Sequence, residues 1–206
     1  MKSYLIVKRI MDWLTACFLI VLTSPIMLAA FIAIKVSSDG PVLFRQKRPG
    51  KNCRVFTLYK FRTMSADTNR TGELLPDMMR LTKIGSFLRK SSIDELPQLF
   101  NIIRGEMSFI GPRPLLVEYL DYYSSDELRR HDVTPGISGW AQVNGRNAIS
   151  WDEKFRLDVW YVEHVSFVLD LKIVLKTVVN IIRKTGINNS DVTTMSSLAS
   201  VRKEGL

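Results

Sequence analysis

The sequence predicts an α+β protein that is mostly helical, with one membrane helix ahead of a compact domain. Three observations predict this fold class. Residues 13–34 contain no charged side chain, two short segments rich in β-branched and aromatic residues follow, and much of the remaining chain has apolar residues at helical spacing. The predicted parts are a membrane helix at 1–36, a domain at 37–185 and a flexible C-terminal tail at 186–206.

The uncharged segment is long enough to cross a bilayer, since residues 13–34 form a helix of about 33 Å. Basic residues lie on both sides of it, and such residues mark the cytoplasmic side. Pro25 lacks a backbone N–H and bends a helix, and the Ser24 hydroxyl can bind a carbonyl that the proline leaves free. We therefore predict a re-entrant helix that breaks at Ser24-Pro25 and returns to the same face. An ordinary span with a mild kink is the alternative.

A cleaved signal peptide fits this segment less well. The apolar stretch is longer than the usual apolar region of such a peptide, and Pro25 interrupts it. The two cysteines agree with a cytosolic setting, because Cys17 lies in the apolar segment and Cys53 in the domain, so we expect no disulfide between them.

The balance of charge predicts an anionic partner. The formal net charge is +9, which suits anionic lipid, a phosphorylated substrate or nucleic acid. The apolar segment favours lipid, and the sequence has no helix-turn-helix, zinc-finger or RNP pattern, so no nucleic-acid partner is expected.

Residues 41–46 and 55–62 read as two strands of a β-hairpin, because Pro49-Gly50-Lys51-Asn52 between them has turn chemistry. A polar loop at 65–76 and a helix at 78–88 follow.

Further helices are predicted later in the domain. Residues 167–184 carry an apolar stripe against a mostly basic face, which is typical of a helix in the interface of an anionic membrane and equally of a half-buried surface helix. The other predicted helices are 115–123, 126–130 and 151–162, with a Gly-rich segment at 135–151.

Asp94 and Glu95 lie at or just before the start of a helix that ends at Gly105. Ser92 with Glu95 forms a capping box, or alternatively Pro97 takes the first helical position. Adjacent acids at a helix start are usually only favourable partners of the helix dipole. The cations nearby change this interpretation. They lie on loops, strand ends or just upstream: Lys60, Arg62, Arg89, Arg113 and Arg146.

Excess cations beside two carboxylates are typical of a phosphate site. Arg binds phosphate oxygens bidentately, and a carboxylate near phosphates needs a counterion. Mg²⁺ is the natural choice, since one or two carboxylates and substrate oxygens bind it. An Asp can also attack phosphorus as a covalent nucleophile.

The motifs resemble those of the bacterial sugar transferase family, the monotopic polyprenyl-phosphate phosphoglycosyl transferases. The resemblance extends from about residue 5 to 185 and is closest to the small members. Four segments in the family's order carry it: Lys60-Phe61-Arg62-Thr63-Met64, Ser92 to Asn101, Met107 to Pro114, and Pro135 to Gly139 with Asn144-Gly145-Arg146-Asn147.

The resemblance implies transfer of a sugar phosphate from a UDP-sugar to undecaprenyl phosphate, with release of UMP, at the cytoplasmic face of the bacterial inner membrane. Asp94 would attack the β-phosphorus and hold Mg²⁺, and Glu95 would assist, by deprotonating the lipid phosphate or orienting the metal. Arg113 and Arg146 would contact phosphate or nucleotide. Secondary candidates for those contacts are Lys60, Arg62 and Arg89; Asp158 would hold one of the cations, and Ser24-Pro25 would match the family's re-entrant break.

Two other functions remain as alternatives: a membrane adaptor without catalysis, and a membrane-tethered nucleic-acid binder. An adaptor would tolerate Asp94→Asn, and a nucleic-acid binder would lose affinity steeply with salt. The motifs do not select a donor sugar, a glycan pathway or an oligomeric state.

Overall fold

A computed structural model of the protein describes residues 2–145, 149–183 and 198–204, and it confirms the mostly helical α+β class. Short 3₁₀ turns lie between the regular elements. The strands are β1 (Leu43–Pro49), β2 (Val55–Phe61), β3 (Ser108–Ile110) and β4 (Gly136–Ser138), and the helices are α1 (Lys2–Ser37), α2 (Asp77–Arg80), α3 (Lys83–Lys90), α4 (Gln98–Arg104), α5 (Ser125–Leu128), α6 (Trp140–Asn144), α7 (Trp151–His164), α8 (Phe167–Ile182) and α9 (Leu198–Glu204).

The predicted β-hairpin is confirmed. Strands β1 and β2 are antiparallel, with Leu43 opposite Phe61 and Pro49 opposite Val55. The turn between them includes Asn52 at a φ of 53°, a left-handed conformation that Asn tolerates. Strand β1 extends to Pro49, three residues beyond the predicted end of the first strand.

A second, parallel sheet was not predicted from the sequence. Strands β3 and β4 pair Ser108 with Gly136, and each strand has only three residues, too few to show alternation. The backbones of the two strands approach so closely that a Cβ on Gly136 would lie 2.1 Å from the backbone nitrogen of Gly111. This contact requires glycine and joins the Gly-rich segment to the loop that carries Arg113.

The single helix predicted at 78–88 is wrong, because two helices lie there. Leu81 is extended and pairs with Met64 in an isolated β-bridge, which separates α2 from α3. Thr82 then begins α3 by accepting a hydrogen bond from the Gly85 nitrogen at 2.8 Å.

Residues 198–204, which were predicted to belong to a flexible tail, form helix α9. Residues 184–197 lie outside the described part of the chain. Leu198 is fully buried against Tyr119, Trp151 and Phe155. Arg202 binds Glu127 and Asp152 at 2.5 and 3.0 Å. The predicted helix at 115–123 is a 3₁₀ turn at Val117–Tyr122, and the one at 126–130 is α5 with a 3₁₀ turn at Arg129–His131.

Helix α1 packs one face on the domain from end to end. Tyr4 and Leu5 contact the cluster around Ile173, Ala16 contacts the cluster around Leu99, and Ile34 packs with Phe61. The opposite face is apolar and exposed, so it suits lipid, and the helix is long and apolar enough to cross a membrane. The exposed residues include Ile6, Ile10, Leu14, Phe18, Val21, Leu22, Leu28, Phe31 and Ile32.

Polar contacts fix the first half of α1. Tyr4 and Lys8 both bind Asp170 of α8, at 2.6 and 2.7 Å. Arg9 donates to the carbonyl oxygens of Ile102 and Ile103 in the last turn of α4, where carbonyl groups exceed the helical donors. The Ile102 oxygen also accepts from the Gly105 nitrogen at 2.9 Å.

Helix α1 is helical through Pro25, so the break predicted at Ser24-Pro25 does not interrupt it, whereas the hydrogen bond expected of Ser24 is present. Pro25 cannot donate to the carbonyl oxygen of Val21, four residues earlier. The Ser24 hydroxyl donates to that oxygen at 2.8 Å. The carbonyl that the proline leaves free is therefore satisfied within the helix.

The apolar stripe predicted on α8 faces outward. Leu169, Asp170 and Ile173 form the buried side of the helix. The exposed stripe comprises Val168, Leu171, Val174, Leu175, Val178 and Ile181. A stripe that is not used for packing on the domain is available to lipid.

We expect Leu198→Ala to destabilise the protein by about 2–5 kcal/mol, because it removes a fully buried side chain from a packed cluster. Thermal unfolding of the full chain in detergent measures this. Val201→Ala on the same helix is the control, since Val201 is exposed. Equal melting temperatures for both variants and the wild type would contradict the docking of α9.

Candidate active site

The two adjacent acids lie on a 3₁₀ turn, Ile93–Glu95, between α3 and α4. Ser92 before it has a left-handed φ of 57° and makes no side-chain cap, so the predicted capping box is wrong. Pro97 immediately precedes α4, and Gly105 ends that helix at a φ of 83°, as predicted. The turn directs Asp94 and Glu95 into different environments.

Glu95 is held between two cations. Its Oε1 accepts from Lys60 Nζ at 2.6 Å and from Arg113 Nη2 at 3.0 Å. Burial alone would raise the pKa of Glu95, but Arg113 and Lys60 outweigh it and lower the pKa to about 2. Glu95 is therefore ionised at neutral pH, and its carboxylate is bound by Lys60 and Arg113.

Asp94 is buried but carries no such partners. No described residue donates a hydrogen bond to its carboxylate, although Lys60, Arg89 and Arg113 lie close enough to act on it electrostatically. Burial raises the pKa of Asp94; Lys60 opposes this rise and the charge of Glu95 adds to it. Asp94 is thus the carboxylate available to bind a metal or attack a substrate.

A buried ion pair supports Arg113 from behind. Arg130 binds Asp158 with its Nη2 at 2.7 Å and its Nε at 3.1 Å, and both side chains are almost fully buried. The same Nη2 donates to the backbone carbonyl of Arg113 at 2.8 Å. Asp158 therefore binds Arg130, a cation that was not predicted to belong to the site. Arg130 follows α5, and nothing in the sequence around it indicated that its side chain is buried.

The structural role of Asn101 was also not predicted from the sequence. It is fully buried in α4, accepts a hydrogen bond from the Tyr59 nitrogen at 3.1 Å and donates to the Thr57 carbonyl at 2.7 Å. These bonds join α4 to β2 and so fix Lys60 relative to Glu95. A lone Asn among apolar residues at helical spacing was the signal in the sequence.

The other predicted cations have different places. Arg89 Nε donates to the Thr63 hydroxyl at 2.9 Å, and its charge acts on Asp94. Arg62 was predicted to contact phosphate or nucleotide. It binds instead the backbone carbonyls of Ser38 and Asp39, just after α1. Arg146 lies outside the described residues.

The carboxylates fit Mg²⁺. Among the described residues no group of three His, Cys, Asp or Glu side chains could hold a metal alone. Mg²⁺ does not need such a group, since it commonly binds one or two carboxylates together with substrate phosphates and water. Asp94, a buried carboxylate that accepts no hydrogen bond from the described part of the chain, has the chemistry of such a ligand.

A family model for bacterial sugar transferases matches residues 3–184. The chain belongs to the bacterial sugar transferase family. It is 52% identical to EpsL, an uncharacterized sugar transferase of Bacillus subtilis, over 91% of this chain and 93% of that protein.

Two longer members of the sugar transferase family have named reactions. The UDP-N-acetylgalactosamine-undecaprenyl-phosphate N-acetylgalactosaminephosphotransferase of Aeromonas hydrophila is 43% identical over 89% of this chain. The UDP-glucose:undecaprenyl-phosphate glucose-1-phosphate transferase of Xanthomonas campestris is 37% identical over 87%. The matches cover only 45% and 39% of those two proteins.

We expect Asp158→Asn to lower the free energy of unfolding by about 3–5 kcal/mol, because it leaves Arg130 buried without a countercharge. Asp126→Asn is the matched control: Asp126 also pairs with an arginine, Arg129, but is exposed, so its loss costs at most about 1 kcal/mol. Thermal unfolding in detergent compares the two. Similar melting temperatures for both variants would contradict the structural role of the pair.

Proposed function

We propose that the protein transfers a sugar 1-phosphate from a UDP-sugar to undecaprenyl phosphate, giving undecaprenyl-diphosphate-sugar and UMP. One observation carries this proposal: Asp94 is a buried carboxylate to which no described side chain donates a hydrogen bond, and it lies close to the ion-paired cluster of Glu95, Lys60 and Arg113. The reactions named for the relatives from Aeromonas hydrophila and Xanthomonas campestris support the substrate classes.

The transfer proceeds in two displacements. A carboxylate oxygen of Asp94 attacks the β-phosphorus of the donor, the bond from that phosphorus to the bridging oxygen breaks, and UMP leaves with the electron pair. An oxygen of the lipid phosphate then attacks the same phosphorus, and the bond to Asp94 breaks. The carboxylate is restored, as in other covalent mechanisms with a carboxylate nucleophile.

Lys60 and Arg113 stabilise the charge on the donor phosphates, since fixed cations in a water-poor site act strongly on phosphoryl oxygens. Glu95 orients these two cations. Its pKa of about 2 makes it a poor proton acceptor, which favours positioning over deprotonation of the lipid phosphate. Mg²⁺ bound by Asp94 and the donor would neutralise further phosphate charge.

The membrane arrangement that suits this reaction is re-entrant, at the cytoplasmic face of the bacterial inner membrane. Both ends of α1 pack on one domain, through Tyr4 at the start and Ile34 near the end. A straight span would carry one end away from that domain. The outward stripe of α8 supports an interfacial position, where the phosphate of a polyprenyl lipid lies.

We expect Asp94→Asn to abolish turnover, because an amide cannot act as the nucleophile. The assay measures UMP released by detergent-solubilised protein with Mg²⁺, undecaprenyl phosphate and a panel of UDP-sugars. Asp126→Asn, an exposed carboxylate change, is the control and should retain activity.

The covalent step has its own readout. Without undecaprenyl phosphate, the wild type should release about one UMP per protein and gain the mass of one sugar phosphate on the peptide that contains Asp94. Turnover by a folded Asp94→Asn variant would overturn the role of Asp94. Steady release that needs both substrates and leaves no mass on the protein would replace the covalent route by direct transfer.

Without Mg²⁺ and substrate, the carboxyl group of Asp94 should become protonated on acidification with a midpoint above the ordinary Asp pKa of 3.8. Burial raises the pKa of Asp94, so its charged form is lost as pH falls through the raised value. Glu95 stays ionised throughout, since its pKa is about 2. Infrared titration of the carboxyl bands, as the difference between wild type and Asp94→Asn with unfolding controls at each pH, tests this. A midpoint at or below pH 3.8 contradicts it.

A further inference from the structure

A cavity of about 320 Å³ adjoins the cluster around Glu95, and we call it the Arg48 cavity. Its charged lining is wholly cationic among the described residues: Arg48, Lys60, Arg113 and Lys154. Lys60 and Arg113 are the two cations that bind Glu95. The size is within the range of small-molecule sites, and the charge favours an anion.

Two buried donor atoms on residues that line the Arg48 cavity have no acceptor among the described residues. Gln98 is almost fully buried, at 2% exposure, yet no described residue accepts a hydrogen bond from its Nε2. Arg48 donates from its Nη2 to the Gln46 side chain at 2.6 Å, but its buried Nε has no described acceptor, and no described carboxylate pairs with it. Buried donors without acceptors are costly, so both groups point to a ligand that supplies oxygens.

The same cavity has an aromatic wall. Tyr119 and Trp151 line it and contact each other edge to face, with ring centroids 5.5 Å apart. Cations that bind phosphate and aromatic rings beside them form the pattern of a nucleotide site, since a base has a flat face that packs on such rings.

A second cavity, of about 410 Å³, shares Arg113 and Lys154 but extends elsewhere. Thr177 and Ile181 of α8 line it, and Ile181 belongs to the outward apolar stripe. A lipid substrate can therefore approach Arg113 through the second cavity. This leaves the Arg48 cavity for the water-soluble substrate.

We propose that the Arg48 cavity binds the nucleotide half of the donor. Arg48 binds a phosphate oxygen, and Gln98 donates the hydrogen bond of its Nε2 to the nucleotide. This assignment rests on the proposed transfer reaction and extends it: donor and acceptor reach Arg113 from two cavities, and Gln98 and Arg48 determine donor affinity. Gln98 is a binding residue here, separate from the carboxylate that reacts.

The test is UMP binding to the full chain in detergent, measured by calorimetry without acceptor or metal. Arg48→Gln should weaken binding about 10-fold or more, because a charge-assisted bond is lost, and Gln98→Leu about 3- to 10-fold. Asp126→Asn, at an exposed carboxylate that pairs with Arg129, should bind UMP as the wild type does. Gln142→Leu, in the second cavity, is the matched control and should also bind normally.

If Gln98→Leu does not fold, Gln98→Glu replaces it in the test. This variant keeps the shape of the side chain, and its negative charge repels the nucleotide. In the transfer assay, all three cavity variants should raise the KM for the donor more than they lower kcat. Folded variants with wild-type UMP affinity and KM would overturn the cavity assignment while UMP release by the wild type still supports the transferase. Absence of UMP release with every donor would instead count against the transferase itself.

Discussion

The carboxylate of Asp170 joins the membrane helix to the domain, and the placement of the site depends on it. Tyr4 and Lys8 of α1 bind one of its oxygens, and Tyr161 of α7 donates to the other at 2.7 Å. A buried carboxylate needs such donors, since an unpaired charge in apolar surroundings is costly. Met11 of α1 and Leu171 of α8 line one mostly apolar groove, so the two helices are held side by side.

A second series of contacts leads from the core to the site. Asp158 holds Arg130, Arg130 holds the backbone of Arg113, and the side chain of Arg113 shares Glu95 with Lys60. Glu95 neutralises only one of its two cations, so the cluster keeps one positive charge. That charge favours the ionised form of Asp94, against the effect of burial. Glu95 thus fixes the two cations that determine the electrostatic environment of Asp94.

The sequence predicted features that depend on neighbours along the chain. The hairpin, the Gly105 helix end and the hydroxyl of Ser24 are examples, because turn chemistry and missing donors are local properties. The parallel pair β3 and β4 was missed since three residues carry no periodicity. The partner of Asp158 and the place of Arg62 depend on tertiary contacts. Adjacency in the sequence likewise does not indicate that Glu95 binds two cations while Asp94 accepts no hydrogen bond from the described residues.

The contacts of Arg9 and Tyr4 have a consequence for the order of synthesis. Arg9 binds a carbonyl 93 residues later in the chain, and Tyr4 binds a carboxylate 166 residues later. Helix α1 leaves the ribosome before the residues that it binds, so its polar groups gain these partners only when most of the domain has been made. Until then the side chains of Lys8 and Arg9 lack these contacts, and cations without partners are costly to bury in a bilayer. Contacts between residues so distant in the chain form late, so the attachment of α1 is completed only when the domain folds.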